Sequence, residues 1–518
     1  MKIVAIIGSL FICVFTSWSN QLLAKEPVFR HGVASGDPLP DGVIIWTRVN
    51  TDQEEVAVEW EVAKDRDFIN MLYFGKLTTN AEQDYTLKVD VGGLEPNRTY
   101  FYRFRALGEQ SMVGRTRTAP QGDVERIRLA VVSCSNYEAG YFNAYARIAD
   151  RKGLNAVIHL GDYIYEYGQG VYGDESTGRM HQPPHEVVTL EDYRTRYGQY
   201  RLDRAAQMVH QAHPFIMIWD DHEIANNAHS SGAQNHQTEK EGSYQKRKAA
   251  ARQAYLEWMP VRENERKEIY RNLKFGNLAE LVMLDERLAG RSEPVKGTKD
   301  EQYLAEERSM LGAEQFQWMT SCLKDCGSIW KIIGNQVLFS DLNLQEVRPN
   351  RPLNMDAWDG YPAEKRRFMD FLQQTSMQNV IFVTGDTHAS WAFEVPADMK
   401  AYRKDGSETV AVEFGTTSIS SANWDERLPV DSVKTIEKDF ARSSLNPHLK
   451  YINLRDHGYL LLTLRPNVAR AEWWYVDTVK QPSRRERLGR SYVVKKGTHK
   501  LRAMLRGGSI SRPRLKKE

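Results

Sequence analysis

His159-Leu160-Gly161-Asp162-Tyr163-Ile164-Tyr165 sets a carboxylate directly after a glycine at the end of an apolar run, with a phenol three residues on. Gly161 permits a tight turn, Asp162 could bridge two cations, and Tyr165 could bring its hydroxyl back to the same point. A phenol binds a metal as phenolate. That requires a strongly acidic ion such as ferric iron to pull its pKa far below about 10. Trp219-Asp220-Asp221-His222-Glu223 ends a second apolar run. Asp221 offers hard oxygen donors, His222 is suited to protonate a leaving alkoxide, and Asn226 and Asn227 add further oxygens. Thr384-Gly385-Asp386-Thr387-His388 repeats the design with Asp and His at i, i+2. In Ser133-Cys134-Ser135 the thiol is a soft donor that favours a transition metal, although alone it reads as a small buried hydrophobe. Each motif has a plainer reading, such as a turn Asp or a helix cap with a surface His. Four in succession point to hydrolysis of phosphate esters, in which paired metal ions neutralise the phosphoryl oxygens and generate the nucleophile.

These residues need rigid elements behind them. After Arg126, apolar strands alternate with helical stretches: 129–132, 156–160, 215–219, 281–284, 330–333 and 380–384 each run into a polar cluster. This pattern predicts a layered α/β core over 126–480 with its chemistry at the carboxyl ends of the strands. Residues 28–120 instead show short alternating strands. Leu94-Glu95-Pro96 followed by Tyr100 suggests the corner of a small immunoglobulin- or fibronectin-like β-sandwich, joined through a linker at 119–123.

A chain of 518 residues is long for one domain. Its net charge of +2 conceals an asymmetry: residues 481–518 hold thirteen Lys or Arg against two acids, a net of +11, so the rest carries −9. That stretch predicts a basic tail, either a lid that gathers anionic substrate or an arm for phosphate-rich polymers and anionic membranes. Lys2, the apolar run 3–18 and the polar stretch from Ser19 predict a secretory leader over 1–24. The expected location is therefore secreted or periplasmic. Of four cysteines, Cys13 leaves with the leader. Cys322 and Cys326 are spaced to pair with strain or stay reduced, and Cys134 is left for another task.

In combination the motifs resemble the PhoD-like alkaline phosphatases (alkaline phosphatase D), a branch of the metallophosphoesterases. The likeness runs from about 28 to 480 and includes Phe29-Arg30-His31-Gly32-Val33-Ala34-Ser35-Gly36-Asp37-Pro38 and Gly334-Asn335-Gln336-Val337. The resemblance implies a metallophosphoesterase-type α/β sandwich and a centre of Fe3+ and Ca2+, with another divalent ion possible at the second site. Cys134, Asp162, Tyr165 and His388 would hold iron. Asp162 would bridge to calcium, with Asp221, Asp386 and Asn227 completing its shell. His222 and Asp221 would be catalytic, and Arg287 and Asn335 would contact phosphate. The implied reaction is release of phosphate from monoesters and diesters by attack of a metal-bound hydroxide, on small esters, phospholipid or extracellular nucleic acid. The alternative is a phospholipase D-like phosphodiesterase, and a non-enzymatic reading is an adhesion module. The family's usual twin-Arg leader is absent here.

Overall fold

The computed structural model describes residues 26–504 apart from 265 and 351. The predicted leader at 1–24 and the last residues of the basic tail lie outside the described residues.

The core has four layers, two sheets packed face to face and each covered by helices. In the ten-stranded sheet the spatial order is Leu501–Ala503, Glu486–Lys495, Val468–Val476, Gly458–Arg465, Ile127–Val132, Ala156–His159, Phe215–Met217, Val33–Gly36, Val43–Arg48, Thr86–Val91. The second sheet runs Arg271–Phe275, Ala279–Met283, Trp330–Gly334, Val380–Thr384, Thr409–Gly415, Ser390–Pro396, Leu449–Asn453. The central strands of both sheets pair in parallel. Parallel strands covered on both faces must be apolar throughout, which explains the unbroken hydrophobic runs.

The two-residue period of a strand divides the second sheet between two cores. Leu281, Met283, Ile332, Ile381, Val383, Val412 and Phe414 point towards the ten-stranded sheet. Val282, Ile333, Phe382, Ala411 and Phe393 point away from it, under the helices Ala313–Lys324 and Pro362–Gln374. The outer face of the ten-stranded sheet is closed by Leu190–Leu202, Arg204–Ala212 and Tyr244–Trp258 through Tyr193, Val209 and Ala251. A reciprocal Thr189–Asp192 capping box starts the first of these helices.

The N-terminal β-sandwich is present, but it is not a free-standing unit. One of its layers, the strands Val33–Gly36, Val43–Arg48 and Thr86–Val91, is the end of the ten-stranded sheet. The other is the sheet Met71–Asn80, Glu55–Ala63, Thr99–Ala106, Glu109–Gln110, with Gly114–Arg117 paired to Thr99–Ala106. Val43 and Ile45 fill the sandwich core while Trp46 enters the catalytic core, so one strand serves both. The expected corner is formed: the buried Tyr100 hydroxyl accepts the Glu95 N–H at 2.8 Å.

The tail is a correction to the sequence reading. Glu486–Lys495 pairs along Val468–Val476, and Leu501–Ala503 pairs with it in turn. Residues 486–503 are therefore edge strands, with Tyr492 and Val494 buried in the main core, and not a lid. The tail's charge had masked this period-2 pattern.

Candidate metal centre

The carboxyl ends of the two sheets meet in one crevice of about 1730 Å³. They are stitched by an isolated bridge between Ser133 and Ser418 and by bonds from Ser421 N–H and Oγ to the Cys134 carbonyl at 3.2 and 2.8 Å. Cys134, Asp162, Asp221, His222, Asn227, Asp386 and His388 all reach this junction, as does Tyr165.

Five of these have a left-handed backbone: Cys134 (φ 62°), Asp162 (56°), Asn227 (53°), Asp386 (58°) and His388 (55°). Such conformations cost non-glycine residues on the order of 1–3 kcal/mol each and persist only where the surroundings impose them. Here they turn a strand's last side chains from the sheet face into the crevice. The glycines do the complementary work. A Cβ on Gly161 (φ 100°) would stand 2.3 Å from Asp220, and one on Gly385 would stand 2.8 Å from Ser133.

The donors form two groups joined by a third. One sulfur, oxygen or nitrogen atom from each of Cys134, Asp162 and His388 lies within 4.8 Å of the others. Tyr165 belongs to this group: its hydroxyl donates to Asp162 Oδ2 at 3.0 Å and lies 3.1 Å from His388 Nε2 and 2.7 Å from Ser421 Oγ. Carboxylates of Asp220, Asp221 and Asp386 converge within the same distance of one another, and Asp162 with Asp221 and His222 links the sets. The backbone N–H of Asn227 holds Asp221 Oδ2 at 2.6 Å. Its side-chain amide nitrogen donates to Gln234, which leaves Oδ1 available to a cation.

The electrostatics call for positive charge. Burial pushes the Cys134 thiol, the Asp162 carboxyl and the Tyr165 phenol up; Asp162 adds to the shift of the thiol and the phenol, while Asp221 and Asp220 add to that of Asp162 against the pull of His222. Burial likewise raises Asp386 to about 7 and Asp220 to about 8. Burial opposes ionisation of Asp221 too, but Arg287 and then His222 outweigh it and hold that carboxyl low. Asp220 Oδ2 and Asp221 Oδ1 are buried with no hydrogen-bond partner among the described residues, a costly state for carboxylate oxygens. A buried thiol, phenol, imidazole and cluster of carboxylates fit a pair of cations: soft and phenolic donors on one side, oxygens alone on the other.

Arg287 and Asn335 are placed away from the opening. Arg287 is fully buried. It bonds Asp220 and Asp356 and turns Nη2 to within 3.6 Å of Asp221 and 3.5 Å of Asp386. Asn335 is spent on the Val337 carbonyl and Trp358 Nε1. The basic groups that do line the crevice are Lys296, Lys299, Arg348 and Arg427.

Sequence reasoning missed a supporting layer of buried acids. Glu223 takes the backbone N–H groups of Asp162, Tyr163 and Asp220 at 2.6–2.9 Å, while Glu286 takes those of Gln336 and Val337 at 2.8 and 2.9 Å. Glu166 faces His222 Nδ1 at 2.7 Å. Glu223 ends the Trp219–Glu223 motif and Glu166 directly follows the His159–Tyr165 motif, so their positions were visible although their partners were not. Tyr172, whose hydroxyl accepts from Arg427 at 2.7 Å, and Ser421 lie in loops that carry no pattern.

Comparison with known proteins agrees with this architecture. Residues 129–473 match the PhoD-like phosphatase model, and residues 16–120 match that of the PhoD-like phosphatase N-terminal domain. Alkaline phosphatase D of Bacillus subtilis (strain 168) is 35% identical over 494 residues, 92% of this chain and 82% of that protein. A solved structure of PhoD superposes with a TM-score of 0.82 at 34% identity over 93% of each chain. The chain belongs to the PhoD-like phosphatase family and is a hydrolase of phosphoric ester bonds.

Proposed function

We propose that the crevice hydrolyses both phosphate monoesters and diesters at a centre of ferric iron and calcium. Cys134, Asp162, Tyr165 and His388 would hold the iron. Asp162 would be shared with calcium, whose other ligands would be Asp221, Asp386 and Asn227. The observation that carries this reading is the convergence of a thiol, a phenol, an imidazole and four carboxylates at one junction of two sheets. Ions held there supply the positive charge that phosphoryl transfer to water requires.

The chain's own groups complete the chemistry. Arg287 reaches Asp220, Asp221 and Asp386 together and holds Asp221 ionised, so the calcium side stays preorganised. His222 lines the opening next to these groups and would give its proton to the leaving oxygen. The width of the crevice supports diesters, because a second ester substituent can lie along Leu338, Leu342, Leu344 and Val347, with Arg348 and Lys296 nearby. The same apolar wall favours a phospholipid diester as the second reading. Export through the leader predicted at 1–24 is part of this proposal.

Elemental analysis of purified protein, with turnover of an aryl monophosphate, a bis-aryl diester and phosphatidylcholine, tests it. Iron and calcium with activity on the first two support the reading, and zinc alone would overturn the metal assignment. Trapping of a phosphorylated Ser or Thr would overturn direct attack by water. N-terminal sequencing of the mature protein tests export.

A further inference from the structure

Glu166 directly follows Tyr165 and is fully buried. Its Oε2 lies 2.7 Å from His222 Nδ1. Its Oε1 accepts the backbone N–H of Asn226 at 2.7 Å and the side-chain amide of Asn235 at 3.1 Å. Asn235 also donates to Glu186 at 3.1 Å, and Glu186 pairs with the buried Arg247 at 2.8 Å. The carboxylate is thus held from several sides.

His222 is confined in the other direction by rings. It stacks on Tyr165 with centroids 4.2 Å apart and planes 29° apart, while Tyr167 lies at 5.4 Å and Tyr172 at 6.4 Å. The aromatic cage fixes the plane of the imidazole, and Glu166 fixes its rotation within that plane. With Nδ1 committed to Glu166, Nε2 is the nitrogen left for the crevice that His222 lines. A carboxylate on one ring nitrogen sets which nitrogen faces the substrate and how it is aimed.

We propose that Glu166 is a positioning residue for leaving-group protonation, aiming His222 Nε2 at the ester oxygen that departs. The proposal rests on the reading of His222 as the proton donor. A role confined to folding would be met by any acceptor for the Asn226 N–H. The Nδ1 contact is the part that reaches the reaction.

Glu166→Gln is isosteric and retains an oxygen for Asn226, but it turns an N–H towards Nδ1. The test compares this variant and His222→Ala on an alkyl phosphate, whose leaving group needs a proton, and on 2,4-dinitrophenyl phosphate, whose leaving group does not. Glu166→Gln should lose about 10²-fold more kcat on the alkyl ester than on the dinitrophenyl ester. KM, metal content and Tm should match the parent. His222→Ala should show the same selectivity, and the double variant no more than His222→Ala alone. Selectivity in His222→Ala but not in Glu166→Gln overturns the role of Glu166 alone. Absence of selectivity in both overturns the proton-donor reading, and the Glu166 role with it. Equal losses on both esters with altered metal content would mean that Glu166 only supports the ligands.

Discussion

Gly161 and Asp220 meet at backbone contact: a Cβ on Gly161 would stand 2.3 Å from both the nitrogen and the Cβ of Asp220. The two strand ends that carry Asp162 and Asp221 are therefore as close as two chains can pack. Gly161→Ala must separate them and also strain a φ of 100°. Overpacking and backbone strain together predict a loss of about 3 kcal/mol. Bound metal should fall with it, measured by elemental analysis beside thermal unfolding. Unchanged metal content would show that the spacing is not critical.

Glu223 secures the same contact by gathering three N–H groups from both strand ends. Replacing a partner of this kind typically costs 10–100-fold in metal affinity or activity. Glu223→Gln places an amide N–H against a backbone N–H and should fall within that range. Metal titration of the stripped protein is the measurement.

Tyr165→Phe deletes the phenol between Asp162 and His388. If Tyr165 binds ferric iron as proposed, the native protein has a tyrosinate-to-iron absorption band in the visible and this variant lacks it. A calcium chelator should abolish turnover while leaving the band in place, with activity restored by calcium. A band that survives Tyr165→Phe would remove the phenol from the ligand set.

Buried neutral histidines away from the centre predict acid lability. Burial holds His31 at about 2, with Arg48 adding, and His213 at about 4. Both lie below the unfolded value of about 6.5. The unfolded chain therefore binds more protons in this window, and stability is lost as pH falls below about 6.5. For His213 the full separation is worth about 3 kcal/mol. His213→Gln retains a donor for the Ile148 carbonyl, which lies 3.0 Å from His213 Nε2, and removes the titration. Its unfolding midpoint should decline less steeply between pH 6.5 and 4 than that of the parent.

Much of the site was legible because strand-end chemistry is local. Most candidate ligands follow a run of buried apolar residues within a few positions, as Asp162 follows Ala156–His159 and Asp386 follows Val380–Thr384. The tail misled because charge was counted where periodicity should have been. Tyr492 and Val494 are buried on either side of the half-buried Val493, with Lys495 exposed beyond them, among the basic residues that dominated the composition.

The sequence by itself determined the layered α/β core, the sandwich ahead of it and the residues able to bind metal, since hydrophobic period and motif spacing are properties of neighbours along the chain. Tertiary structure alone decided how those residues meet. Asp162 lies more than two hundred positions from His388, and only the packing of two sheets face to face brings them within bonding distance of one phenol. The same packing buried Arg287 behind the carboxylates, turned Glu166 onto His222 and merged the sandwich into the main sheet. Those outcomes depend on contacts between distant segments, and no local pattern encodes them.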